Sequence, residues 1–312
     1  MIKMNKFTKI KTRLFFLLIW FFVISFSLFL LPWKDLPVEQ AQIIQNNEIP
    51  IIRYVNYFAE TEIQANIAAV WDIEEQRFLY QKNINQQVPL ASLTKLMTAL
   101  IATENLENDE IVTFDHQARQ LDDSLSLPIG SKWRSSDLID LLLIRSSNAA
   151  SRAIALAVED KLNANFTDLM NKKARELAME SYFINESGLD VGGGSYGGSF
   201  GSAQDIIKLI EYIIRNHPDL LSATKHQSIN RRALTGEISS PNNTNQEVGK
   251  INGLIASKTG FTGQAGGNLA IVFDANLNRP VIIIVLSSTR QERFNDVINL
   301  YEASRQQIID GH

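Results

Sequence analysis

The stretch ASLTKLMTALIATE, residues 91–104, contains an isolated lysine within an apolar helical pattern. Lys95 is the only charged residue between Val88 and Thr103. Apolar residues at i, i+3, i+4, i+7 and i+8 predict a helix, and small residues on its other side let it pack all round. The apolar positions are Leu93, Leu96, Met97, Leu100 and Ile101. Ser92 precedes Lys95 by one helical turn, so a desolvated, neutral lysine could take the serine proton.

A second lone lysine lies near the other end of the chain. In GLIASKTGFTGQAGGNLAIVF, residues 253–273, Lys258 is the only charge between Lys250 and Asp274. Taken alone, Ser-x-x-Lys favours a lysine that reaches the surface and a serine that caps a helix. Two isolated lysines in apolar surroundings weaken that interpretation, because an unpaired buried charge is costly.

A helix break lies between the two lysines, in LLLIRSSNAASRAIA, residues 141–155. Ser146 and Asn148 are both residue types that cap helices, and capping is the simple interpretation of each. Ser-x-x-Lys, Ser-x-Asn and Lys-Thr-Gly occur here in that order, and this set is typical of penicillin-binding proteins and class A β-lactamases.

The remaining pattern predicts an α/β fold with a mostly antiparallel five-stranded sheet. Alternating or apolar runs predict strands over 67–71, 77–81, 254–259, 268–273 and 280–287. Helical periodicity predicts a large all-helical subdomain between the second and third strands, and a last helix. These helices are expected over 93–104, 137–145, 149–158, 166–178, 204–215 and 291–309. Turns are expected at GFTGQAGG (260–267) and DANLNR (274–279).

The glycine-rich patch GGGSYGGS, residues 192–199, matches the dinucleotide pattern G-x-G-x-x-G. That fingerprint requires a strand before it and a helix opening on it. Here turn-like residues precede the patch and the next helix begins several residues later, so we predict a flexible loop.

The N-terminal region predicts a membrane anchor. Residues 1–13 carry five basic side chains and no acid, and residues 14–31 are 18 uncharged, mostly apolar residues. A secretory signal would have a shorter apolar run and a small-residue cleavage site, so a retained single-pass helix over 14–32 is favoured. The basic flank is expected in the cytoplasm, with the chain from Trp33 onward on the extracytoplasmic side of the cell membrane. Residues 33–59 read as a linker and 60–312 as the catalytic domain.

Composition excludes several classes of function. The formal net charge is −4, and it becomes −9 without the five basic residues of the flank. An acidic body of this kind argues against a nucleic-acid partner. The absence of cysteine excludes a cysteine nucleophile and zinc thiolate sites. The four histidines form no metal-ligand spacing, so neither a metal nor a cofactor is expected.

Over roughly 60–308 the chain resembles the D-alanyl-D-alanine carboxypeptidases of the low-molecular-weight penicillin-binding protein family, which have a serine β-lactamase-like fold. ASLTKLMTALIATE, FINESGLD (183–190), GSAQDIIKLIEYI (201–213) and KTGFTGQAGGNLA (258–270) all resemble family segments. The resemblance implies removal of the terminal D-alanine from peptidoglycan stem peptides that end in D-Ala-D-Ala. It also implies acylation by β-lactam antibiotics.

The resemblance further implies a role for each matching residue. Ser92 would be the acylated nucleophile, Lys95 its general base, Ser146 a proton relay, and Asn148 a holder of Lys95 and the substrate amide. For the substrate-binding residues, Lys258 would keep Lys95 neutral and, with Thr259, bind the terminal carboxylate. Gly260 would let substrate approach the strand, the N–H groups of Ser92 and Phe261 would form the oxyanion hole, and Thr262 would complete the set.

Three alternatives stay open at this point. The first is a DD-endopeptidase that cleaves cross-links. Many carboxypeptidases of the family continue into a small β-rich domain and a C-terminal membrane helix, and the N-terminal segment is expected to replace that anchor here. The shorter architecture also occurs in relatives that act as endopeptidases. A class A β-lactamase requires a deacylating glutamate, and neither Glu180 nor Glu186 has its E-x-x-L-N context. A non-catalytic penicillin-binding sensor would have lost a catalytic residue, and none of the five is missing.

Overall fold

The computed structural model describes residues 56–120, 125 and 127–310. Its strands are β1 (Ile67–Asp72), β2 (Arg77–Lys82), β3 (Val88–Pro89), β4 (Ile111–Thr113), β5 (Lys132–Arg134), β6 (Tyr182–Phe183), β7 (Ser199–Gly201), β8 (Arg231–Arg232), β9 (Ile238–Ser239), β10 (Leu254–Thr262), β11 (Gly266–Asp274) and β12 (Pro280–Ser288). Its α-helices are α1 (Thr94–Asn105), α2 (Ser135–Arg145), α3 (Asn148–Leu162), α4 (Phe166–Glu176), α5 (Ala203–Asn216) and α6 (Glu292–Asp310).

The central sheet joins the two ends of the described chain. Its strand order is β10-β11-β12-β1-β2, and every pairing within it is antiparallel. The predicted α/β class with a five-stranded antiparallel sheet is therefore confirmed. Strand β10 lies at one edge of the sheet, which leaves its outer side available to other parts of the molecule.

Both faces of this sheet are covered, because its inner strands are apolar on alternate sides. On one side, Ile282 and Ile284 belong to a core shared with α1 to α5. On the other side, Ile283 and Val285 pack against α6. The result is a sheet between a large helical block and one long C-terminal helix, and the site lies where that block meets the edge strand.

The helical block contains the predicted helices, but it is not wholly helical as predicted. Short antiparallel pairings occur within it, namely β4 with β5, β8 with β9, and the three-stranded sheet β3-β7-β6. These strands are two or three residues long. An alternating pattern needs about four residues to be visible in a sequence, so such strands leave no signal.

Strand β10 is longer than the sequence predicted. Gly260, Phe261 and Thr262 were expected in a turn, but they pair with Asn268, Gly267 and Gly266 of β11. Consecutive antiparallel strands joined by a short turn keep their hydrogen-bonded ladder almost to the tip. The turn is reduced to residues 263–265, and the Lys-Thr-Gly segment lies wholly inside the strand.

The described body begins before the predicted boundary at residue 60. Phe58 is buried in the core beside α6, and the Tyr57 N–H donates to Gln307 Oε1 at 3.2 Å. The predicted linker therefore ends earlier than residue 59. Among the described residues no helix has both the length and the apolar character needed to cross a bilayer. The anchor predicted over 14–32 and the flank over 1–13 lie outside the described residues.

Candidate active site

Ser92 lies in a 3₁₀ turn, Ala91–Leu93, that leads directly into α1. Ala91 has φ of 49°, a left-handed conformation that is costly for a residue with a Cβ. Two contacts hold this turn in place. Thr94 Oγ1 donates to Ala91 O at 2.7 Å, and the buried Asn268 Nδ2 of β11 donates to Leu90 O at 3.0 Å. The serine is thus fixed between the start of α1 and the sheet.

Lys95 is fully buried and its Nζ is 3.0 Å from Ser92 Oγ. The same amine donates to Asn148 Oδ1 at 2.8 Å and to Ser187 O at 2.7 Å. Burial lowers the pKa of Lys95 to about 7, while the charge of Glu186 acts in the opposite direction. A neutral amine has two N–H donors, for Asn148 and Ser187, and one lone pair, which can accept the Ser92 proton.

Lys258 is the second buried amine, with 2% of its surface exposed. Its Nζ donates to Ser146 Oγ at 2.8 Å and to Thr259 O at 2.9 Å. Burial, and then the positive charges of Lys95 and Arg293, lower the pKa of Lys258 well below its usual value. The resemblance implied that Lys258 keeps Lys95 neutral. Burial is instead the main cause of the lowered pKa of Lys95.

The segment from Ser146 to Asn148 supplies one side chain to each lysine. Ser146 follows α2 in the left-handed conformation, with φ of 63°. The cap of α3 is Ser147, whose Oγ accepts from Ala150 N at 3.0 Å. Ser146 is itself the C-cap of α2, as the capping interpretation allowed, whereas Asn148 is the first residue of α3 and not its cap. Because Ser147 caps the helix, Ser146 and Asn148 are left for Lys258 and Lys95.

The remaining predicted residues follow along β10. Thr259 Oγ1 donates to Thr244 Oγ1 at 2.6 Å. Gly260 lies so close to the serine turn that an added Cβ would be 3.2 Å from Ser92 N. Phe261 is 43% exposed, with the Arg290 guanidinium over its ring. Thr262 is the last residue of β10. Its Oγ1 accepts from Ala265 N at 3.1 Å, in the turn that ends the strand.

Several residues at the site were not predicted from the sequence. Ser187 contributes a backbone carbonyl to Lys95, and Arg293 Nη1 of α6 donates to Gly260 O at 2.5 Å. Gly188 has φ of +75° and lies against Ala91 O, so that an added Cβ would overlap the serine turn. The glycine in FINESGLD was a visible signal of such a close approach. A backbone carbonyl such as Ser187 O leaves no such signal in the sequence, and neither does a side chain such as Arg293 that binds a backbone carbonyl.

This geometry defines a class of protein: a serine hydrolase in which a buried lysine lies beside the serine hydroxyl, between an antiparallel sheet and a helical block. The chain belongs to the D-alanyl-D-alanine carboxypeptidase family, whose model matches residues 55–290. The family predicted from the three motifs is thereby confirmed.

Individual relatives agree with this assignment. The D-alanyl-D-alanine carboxypeptidase DacF of Bacillus subtilis is 26% identical over 260 residues, covering 78% of this chain and 63% of that relative. A D-alanyl-D-alanine endopeptidase of Pseudomonas aeruginosa is 28% identical over 236 residues, covering 73% of each chain. The ampicillin-bound structure of penicillin-binding protein D2 from Listeria monocytogenes is similar with a TM-score of 0.64 and 30% identity, over 77% of this chain and 97% of that one.

Proposed function

We propose that this chain is a serine-type D-alanyl-D-alanine carboxypeptidase that removes the terminal D-alanine from peptidoglycan stem peptides and is acylated by penicillins. The observation that carries the proposal is the contact of 3.0 Å between Lys95 Nζ and Ser92 Oγ, in a site where burial lowers the lysine pKa to about 7. A lysine of this kind is a general base at neutral pH.

In the acylation step the Ser92 Oγ–H proton moves to neutral Lys95 as Oγ bonds to the carbonyl carbon of the D-Ala-D-Ala peptide bond. The N–H groups of Ser92 and Phe261 stabilise the resulting oxyanion. The C–N bond then breaks as the proton on Lys95 passes through Ser146 to the departing amine of D-alanine, which leaves Lys95 neutral again. Water next attacks the carbonyl carbon of the Ser92 ester and gives one proton to Lys95. Lys95 returns this proton to Ser92 Oγ as the ester C–O bond breaks, which releases the shortened peptide and restores the serine.

Substrate binding is assigned to the outer edge of β10, the edge strand of the sheet. An extended stem peptide adds alongside this strand, as peptides do at exposed sheet edges. Lys258 and Thr259 receive the terminal carboxylate, and Asn148 receives the substrate amide. The proximity of Gly260 to the serine turn supports this placement, because a side chain there would fill the space between strand and serine.

Labelling with a fluorescent penicillin tests the nucleophile. We expect covalent label on the intact chain and none on Ser92→Ala, whereas Ser195→Ala, in the exposed glycine-rich loop, serves as the control and stays labelled. Persistent labelling of Ser92→Ala would refute the assignment.

The general base is tested in the same assay. Lys95→Ala should lower the acylation rate by about 10²–10⁴-fold, the usual range for loss of a general base.

A DD-endopeptidase activity is the second candidate, because relatives from Pseudomonas aeruginosa, Haemophilus influenzae and Escherichia coli that carry that name are 28–30% identical to this chain. Mass spectrometry of purified muropeptides separates the two activities. Loss of one alanine from a monomer indicates carboxypeptidase action, and conversion of a cross-linked dimer into two monomers indicates endopeptidase action.

The proposed location is the extracytoplasmic side of the cell membrane. The five basic residues before the apolar run support an anchor whose N-terminus stays in the cytoplasm. This location suits the proposed substrate, since peptidoglycan lies outside the membrane.

A further inference from the structure

Glu186 is a buried carboxylate that the proposed mechanism does not use. It is 7% exposed and lies in the loop between β6 and β7. A mostly buried charge is costly unless an opposite charge lies near it, so the charges around Glu186 matter.

The backbone around Glu186 is fixed to α1 at two points. Glu186 O accepts from Thr98 Oγ1 at 2.6 Å, and the next carbonyl, Ser187 O, accepts from Lys95 Nζ at 2.7 Å. Asn185 Oδ1 closes the turn by accepting from Gly188 N at 2.7 Å. Because Lys95 and Thr98 are three residues apart on one helix face, this loop is held directly beside the catalytic amine.

A second buried amine, Lys258 of β10, lies on the sheet side, and its pKa is lowered by burial and then by the positive charges of Lys95 and Arg293. The negative charge that acts on Lys95 is that of Glu186, which favours the protonated amine. Proton transfer from Ser92 creates a positive charge on a fully buried amine, so a compensating negative charge nearby has a clear physical use.

We propose that Glu186 is a positioning residue for acylation, whose negative charge stabilises the ammonium that forms on Lys95 when Ser92 gives up its proton. This inference rests on the proposed function. The proton leaves Ser92 Oγ and bonds to Lys95 Nζ while Oγ bonds to the substrate carbonyl carbon, so one positive charge appears beside Glu186. The same carboxylate also keeps more of the resting lysine protonated at low pH.

Removal of the Glu186 charge therefore has two effects of opposite sign. Lys95 becomes neutral at a lower pH, which raises the reactive fraction under acidic conditions. The neutral lysine is also a weaker base, and its conjugate acid is less stabilised, which lowers the maximal rate. A residue that merely supported the loop would lower the rate without moving the pH at which the rate rises.

The test is the second-order rate constant for acylation by a fluorescent penicillin between pH 5.5 and pH 9, measured on the full chain. Wild type should show a rise centred near pH 7, the value set by Lys95. In Glu186→Gln the rise should move to lower pH and the plateau should fall roughly tenfold. Glu180→Gln, an exposed glutamate in the same stretch of sequence, is the matched control and should behave as wild type.

A second pair of variants guards against misfolding. Glu186→Asp keeps the negative charge and should keep the wild-type midpoint of the pH profile. Glu186→Asn removes the charge and should shift that midpoint as Glu186→Gln does. Thermal unfolding of each variant checks that it is folded. An unchanged midpoint in both neutral variants would overturn the inference, whatever happens to the plateau. If wild type itself takes no label at any pH, the proposed function fails instead, so the two failures are distinguishable.

Discussion

At the scale of single residues, the buried Lys95 links activity to stability. Its pKa is lowered to about 7 in the folded protein from a usual value of 10.5, so the folded state loses its proton first. The resulting destabilisation is fully present at and below pH 7 and fades as the pH rises toward 10.5. We predict that between pH 7.5 and 9 wild type gains about 1.4 kcal/mol per pH unit relative to Lys95→Met.

Urea unfolding of both proteins across this pH range measures the difference. The exposed Lys132 provides the control, since Lys132→Met should stay parallel to wild type. A free-energy difference between wild type and Lys95→Met that does not change with pH would show that the lysine titrates normally. The three hydrogen bonds of the lysine amine contribute at every pH and therefore shift the difference without changing its slope.

The sequence showed which side chains were unusual, but not which hydrogen-bond partners each of them has in the folded protein. Lys95 and Lys258 were predicted as buried because no other charge lay near them in the sequence, and both are. From the sequence alone, a catalytic role of Ser146 and Asn148 could not be distinguished from helix capping. The structure distinguishes the two because Ser147 takes the N-cap of α3. Glu186 lies in FINESGLD but lacks the E-x-x-L-N context of a deacylating glutamate, and the role proposed for it depends on its position near Lys95 in the fold.

At the scale of elements, the loop that holds Ser187 O against Lys95 depends on Gly188. Its φ of +75° and its contact with the serine turn leave no room for a Cβ. We predict that Gly188→Ala lowers the free energy of unfolding by about 2–4 kcal/mol. It should also slow penicillin acylation about a hundredfold, because displacement of a catalytic group by about 1 Å has that effect.

Gly193→Ala is the matched control, since Gly193 also has positive φ, +66°, but nothing lies within 4 Å of its added Cβ. That change should cost only about 1 kcal/mol, the conformational penalty alone, and leave acylation unchanged. Equal effects of the two substitutions on acylation would contradict the proposed close packing at Gly188.

Long elements were predictable because their periodicity extends over several turns or alternations. Helices α1 to α6 and the five central strands were all predicted at nearly their observed positions. The failures are local. The β10 ladder continues through Gly260 because cross-strand hydrogen bonds outweigh glycine's weak strand preference. Phe58 joins the core because α6, far away in the sequence, provides its surface.

At the scale of the whole molecule, the site exists because the sheet order brings distant segments together. Ser92 and Lys95 follow the N-terminal hairpin, whereas Lys258 lies on β10 near the other end of the chain. The sequence predicted five strands, but pairing of β12 with β1 is what closes the two groups into one sheet. Strand order depends on contacts between remote segments, so it is outside the reach of local patterns.

The N-terminal sequence predicts that the whole chain is attached to the membrane. Eighteen uncharged residues at about 1.5 Å per residue nearly span a hydrocarbon core, and the five basic residues before them favour a cytoplasmic N-terminus. Full-length protein produced in bacterial cells should stay in the membrane fraction after sodium carbonate extraction. Protease added to spheroplasts should digest the catalytic domain, while a tag placed before residue 14 should be protected. Recovery of the intact catalytic domain in the soluble extracytoplasmic fraction, without the apolar run, would indicate a cleaved signal instead.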